Sequence, residues 1–222
     1  MRENAPVIER TRSSGHAIEI NKVLKNTYML LGASIGFSAV VAYVAAVMNL
    51  AHPGLIVTLV GFYGTLFVIH KTRNSAAGIF WVFVLTGFMG YTLGPIVGLL
   101  SATAPQILIQ ALGGTGLIFF GLSAWVLTSK KDFSFLSGMI AAGFWVLLIA
   151  IIASLFLNIS GLSLAISAGF MIFSSMIILY QTSEIIKGGE RNYISATVTL
   201  YVSLYNIFVS LLHLLMAFSG DD

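Results

Sequence analysis

Long apolar runs separated by short polar breaks fill this chain from residue 27 onward, at about 27–49, 54–70, 76–100, 106–128, 133–157, 162–181 and 193–218. Each is close to the roughly 20 residues a helix needs to cross a hydrocarbon core about 30 Å thick. Seven membrane-spanning helices are predicted, with connections too short to hold a separate soluble domain. The polar positions inside the runs are also patterned. In the last run Thr199, Ser203, Asn206, Ser210 and His213 recur at steps of four, three, four and three, which puts them on one face of a helix. The sixth run carries Ser163, Ser167, Ser174 and Gln181, and the short connection after it makes the last two runs an antiparallel hairpin whose polar lines can face each other. Polar side chains in hydrocarbon turn inward to find partners, so both lines are expected in the interior.

Glycines form a second pattern. Gly87, Gly90, Gly94 and Gly98 line one face of the third run, and Gly113, Gly114, Gly116 and Gly121 crowd the fourth. Small residues at such spacings let helix backbones approach closely. Pro95 falls within the third run and is expected to kink it.

Composition agrees with a membrane protein: 222 residues, 58% hydrophobic and 9% charged, with a mean hydropathy of +0.96. There is no cysteine, which excludes disulfides, thiolate metal sites and cysteine catalysis. All eleven basic residues lie before the first run or in the connections after the second, fourth and sixth. Seven crossings put them all on one side. The positive-inside rule then places the N-terminus in the cytoplasm and the C-terminus outside. Residues 1–26 are polar and charged, with Arg2, Arg10, Arg12, Lys22 and Lys25, and read as a flexible cytoplasmic tail preceding a transmembrane domain at 27–218.

Candidate chemistry is sparse. No HExxH, P-loop or GxGxxG occurs, and no aspartate lies inside a run. Ser210 and His213 share a helix but lack a visible activating third group. The four histidines are scattered and do not resemble a metal set. Neither enzymatic activity nor a cofactor is expected. Glu184 is the one acid close to a run's interior. Lys187, three residues on, makes an ion pair its ordinary reading, and a carboxylate at the inner mouth of a path between the last two helices is the sharper one.

The segments TGFMGYTLGPIVG (86–98), ALGGTG (111–116), LTSKKDFSFLSG (127–138) and YQTSEIIKGGERNYISATVTLYVSLYNIFVSLL (180–212) together resemble the Bax inhibitor-1 family, and within it the bacterial YccA-like branch, whose known member modulates the membrane protease FtsH. The resemblance implies an all-α bundle of seven transmembrane helices around a central one, in the bacterial inner membrane with the C-terminus in the periplasm. It implies FtsH as partner and a regulatory role, in which a grippable tail and a slowly extracted bundle occupy the protease. Calcium-leak members of the family carry two aspartates where this chain has Gln181 and Ser203. A cation leak, the alternative function, is weakened by that loss, because neutral groups neither share a proton nor offer charge to a divalent cation. Asn206 matches the family's asparagine. The polar line of the last run is therefore read as hydrogen-bonding glue.

Overall fold

Hydrocarbon offers backbone N–H and C=O groups no partner, so each apolar run must satisfy its own, and all seven do so as α-helices. The computed structural model describes residues 5–129, 131–157, 159 and 161–219, with side chains from residue 18 onward. The helices are α1 (Ala5–Val47), α2 (Leu55–Thr72), α3 (Ala76–Thr103), α4 (Pro105–Ser129), α5 (Leu136–Phe156), α6 (Leu162–Lys187) and α7 (Tyr193–Ser219). All seven are long and apolar enough to cross a membrane, and no strand occurs among the described residues. α3 runs unbroken across Pro95.

α7 occupies the middle. It packs against α1, α3, α4 and α6, whereas α2 leans mainly on α3 and α5 on α6. The main core accordingly gathers around Ile194, Leu200, Leu204 and Ile207 of α7, with Leu31 of α1 and Leu85 of α3. The outer faces of α2 and α5 expose large apolar side chains such as Ile56, Val60, Trp145 and Phe156, which suits helices that meet lipid on most sides.

α1 meets α3 along the glycine line expected to pack. A β-carbon added at Gly90 would collide with the Ser38 carbonyl, one at Gly94 with Ala45, and one at Gly87 with the Phe37 ring. The α4 glycines behave differently. Gly113, Gly116 and Gly121 face no protein atom within 4 Å, and only Gly114 touches another helix, at Leu211. Close helix packing is thus a property of the α3 line and not of the α4 cluster. Spacing along one helix does not reveal which face the neighbours cover.

The boundary between tail and bundle also differs from the sequence reading. Val23 is buried against Ile185 and Ala196, so the packed unit begins inside the segment read as tail. Lys22 and Lys25 lower the local hydropathy there but point outward, while Val23, Thr27, Leu31, Ser34 and Ser38 continue one buried line along α1. Helix α1 includes the residues from Ala5 onward. Arg2, and the side chains of Arg10 and Arg12, lie outside the described residues.

Contacts between connections gather three of them at one end. Asn192, ahead of α7, donates to the Arg73 carbonyl (2.9 Å) and to Asn74 (2.8 Å) after α2. Lys187, closing α6, pairs with Asp132 after α4 at 2.6 Å.

Candidate functional site

The α6–α7 hairpin brings the two polar lines onto packed helices, but with few bonds between them. Ser203 is buried and donates to the carbonyl of Thr199 on its own helix (2.9 Å). Thr199 does the same to Ser195 (3.1 Å). Such bonds back to the preceding turn satisfy a hydroxyl without joining helices. Ser210 is buried and Asn206 half-buried. His213 is exposed rather than interior, near the end of α7, where its Nδ1 lies 3.5 Å from Ser167 Oγ of α6, at the outer limit of a hydrogen bond.

On the α6 side Gln181 is buried, and its Nε2 has no hydrogen-bond partner among the described residues, nor do the Ser174 and Thr182 hydroxyls. No hydrogen bond joins Gln181 to Ser203. Gln181 and Ser203 are therefore a neutral amide and a hydroxyl already engaged by its own helix. They offer no carboxylate oxygen of the kind that holds a divalent cation. Among the described residues no group of three His, Asp or Glu side chains is placed to hold a metal ion.

Apart from that long His213–Ser167 contact, the bonds that join α7 to its neighbours come from residues off the polar line. Tyr201 donates to the Thr86 carbonyl of α3 at 3.2 Å, and its hydroxyl lies 2.7 Å from Ser38 Oγ of α1. One turn on, the Tyr205 hydroxyl meets Thr92 of α3 at 2.9 Å. One turn before Tyr201, Thr197 reaches the Thr27 carbonyl of α1 at 3.2 Å. Thr197, Tyr201 and Tyr205 are four apart, which sets them on one face of α7 toward α1 and α3. That spacing was the signal available in the sequence. Their partners lie 113 to 170 residues away, beyond the reach of any periodicity.

Below Gln181 the motif YQTSE closes the α6 end. Ser183 is buried; its hydroxyl accepts the Phe133 N–H (3.1 Å) and approaches the Lys131 carbonyl (3.4 Å), which fixes the α4–α5 connection. Glu184 pairs with Lys187 at 3.1 Å, the ordinary reading of that acid. Lys187 also holds Asp132 at 2.6 Å. That bond, together with N–H donation from Ser134, pulls the Asp132 carboxyl down to about 2. Gly188 then turns into the left-handed region (φ 76°) and ends the helix. The Asn192 side chain accepts the Ser195 N–H in the first turn of α7.

A family model described as "Inhibitor of apoptosis-promoting Bax1" matches residues 20–220. An uncharacterised protein of Pseudomonas aeruginosa is 57% identical over 206 residues, covering 92% of this chain and 93% of that one. The modulator of FtsH protease YccA of Escherichia coli is 52% identical over 219 residues, covering 96% of this chain and all of that one. The same identity and coverage hold for a protein of a second Escherichia coli strain, named inner membrane protein YccA.

Proposed function

Because the chain belongs to the Bax inhibitor-1 family, we propose that it is a multi-pass protein of the bacterial inner membrane that binds, is slowly degraded by, and modulates the ATP-dependent protease FtsH. The observation that carries this reading is the end-to-end likeness to a protein named as a modulator of that protease. The role is regulatory rather than catalytic. The uniform placement of basic residues in the connections at one end supports a cytoplasmic N-terminus and a periplasmic C-terminus.

An ATP-driven protease pulls a membrane protein out from one end. The N-terminal segment ahead of Val23, with Arg2, Arg10, Arg12 and Lys22, is the handle in this proposal. A pull there acts first on α1, which is held along its length by the close approach to α3 and by the bonds from Tyr201 and Thr197 to Ser38 and Thr27. Resistance at α1 makes extraction slow, and a slowly extracted chain keeps the protease from other clients. Glu184, engaged with Lys187, serves the closure of the hairpin. The cation-leak alternative has less behind it, since Gln181 and Ser203 are neutral and Thr199 and Ser203 are bonded to their own helix.

The test is deletion of residues 2–17 in cells containing FtsH. Turnover of the truncated chain is expected to slow at least several-fold, with a matching change in the lifetime of other FtsH clients. Unaltered turnover and unaltered client lifetimes would reject the tail as the handle.

A further inference from the structure

α1 and α4 both pack on α7 but scarcely on each other. Between them runs a cavity of about 490 Å³, walled by Gly32 and Ala39 of α1 and Leu112 and Gly116 of α4, with Leu204 and Phe208 of α7 as its floor. Its mouth is formed by exposed positions of two apolar spans, so whatever fills it enters sideways from the bilayer. Glycine in a membrane helix ordinarily marks the close approach of a second helix. Gly32 and Gly116 instead face nothing within 4 Å, and their missing side chains keep the groove wide.

Length and lining suit a lipid chain. Along α1 the groove extends from Tyr28 to Tyr43, about 22 Å at 1.5 Å per residue. Its walls are almost wholly apolar side chains, among them Ile35, Leu112, Leu204 and Phe208, the surroundings a hydrocarbon chain prefers. A flexible alkyl chain fits. Charge then distinguishes the two ends. Neither Tyr28–His70 of the chain nor any part of α4 contains a charged residue. Lys25, exposed one turn before Tyr28, continues the line of Tyr28, Gly32, Ile35 and Ala39 at steps of three, four, three and four. It is the one cation on that line, at the end where a headgroup would emerge. We propose that the groove between α1 and α4 holds one acyl chain of an anionic phospholipid whose phosphate is met by Lys25. The occupied groove gives α7 a lipid contact between two helices that do not close over it.

The experiment uses the full chain in phosphatidylcholine vesicles containing a phosphatidylglycerol with a photoreactive diazirine near the end of one acyl chain. Labelling is expected to concentrate on α1, α4 and the Leu204–Phe208 stretch of α7. Gly32→Leu and Gly116→Leu, which project into open space and fill the groove from opposite walls, should each reduce that labelling several-fold. Gly64→Leu on α2, which also faces nothing within 4 Å, should leave it unchanged. Lys25→Gln should lower the preference for the phosphatidylglycerol probe over a phosphatidylcholine one by about five-fold, the worth of one lysine near an anionic surface. Labelling spread evenly over α2 and α5 and indifferent to both groove-filling variants would overturn the proposal as ordinary boundary lipid. Disulfide formation between two Gly116→Cys chains would overturn it in favour of a second copy.

Discussion

Tyr201 reaches across the bundle to Ser38 of α1 and to the Thr86 carbonyl of α3, and both its hydroxyl and that of Ser38 are inside the protein. Tyr201→Phe keeps the ring and deletes one oxygen, leaving the buried Ser38 hydroxyl without that partner. The expected cost is about 1–3 kcal/mol, measured by reversible unfolding in mixed micelles. Tyr205→Phe should cost less, because Thr92 keeps its own bond to the Met89 carbonyl at 2.7 Å. Equal stability of Tyr201→Phe and the parent would mean that this bond does not hold α1. Asp132 makes a different prediction. Its folded-state carboxyl is lowered from 3.8 to about 2, first by the Lys187 hydrogen bond. A lowered acid stabilises the fold above its ordinary value and loses that contribution as the pH falls through about 2. Carbon-13 labelling of the Asp132 carboxyl should show titration near 2, moving up toward 3.8 in Lys187→Ala. No movement would leave the Ser134 N–H as the cause.

Two helices with similar glycine content do opposite things. The α3 line presses on α1, so Gly90→Ala would drive a methyl into the Ser38 carbonyl and should cost about 1–3 kcal/mol, as overpacking does elsewhere. Gly113→Ala on α4 meets open space and should be neutral or gain up to about 1 kcal/mol from helix propensity. The same unfolding assay reads both, and a costly Gly113→Ala would show that α4 has a packing partner on that face. Helix α7 shows the same divergence between pattern and role. Its polar line at Thr199 and Ser203 is spent on its own backbone, while tyrosines, which the hydrophobic fraction includes, make the bonds between helices.

For the whole molecule, the N-terminal deletion and the groove experiment probe separate faces. One concerns how the bundle is pulled apart and the other what fills a gap in it. Both depend on α7 being central, with α1 held to it by hydrogen bonds at Thr27 and Ser38 and separated from α4 by the groove. The number of helices and the clustering of basic residues in alternate connections were legible in the sequence. These are local properties: whether about 20 consecutive residues prefer hydrocarbon to water depends on those residues alone. The ion pair of Glu184 with Lys187 was legible for the same reason, since three residues along a helix are neighbours in space. Tertiary structure decided the rest: that Val23 belongs to the core, that Lys187 also holds Asp132, that the α3 glycines pack while those of α4 stand open, and that Ser38 meets Tyr201. Each depends on which faces of distant helices meet, and with lipid as apolar as leucine on every side, hydropathy gives no preference among those faces. Close backbone contact and a few buried hydroxyls make the choice, between residues whose distance along the chain leaves no periodic trace.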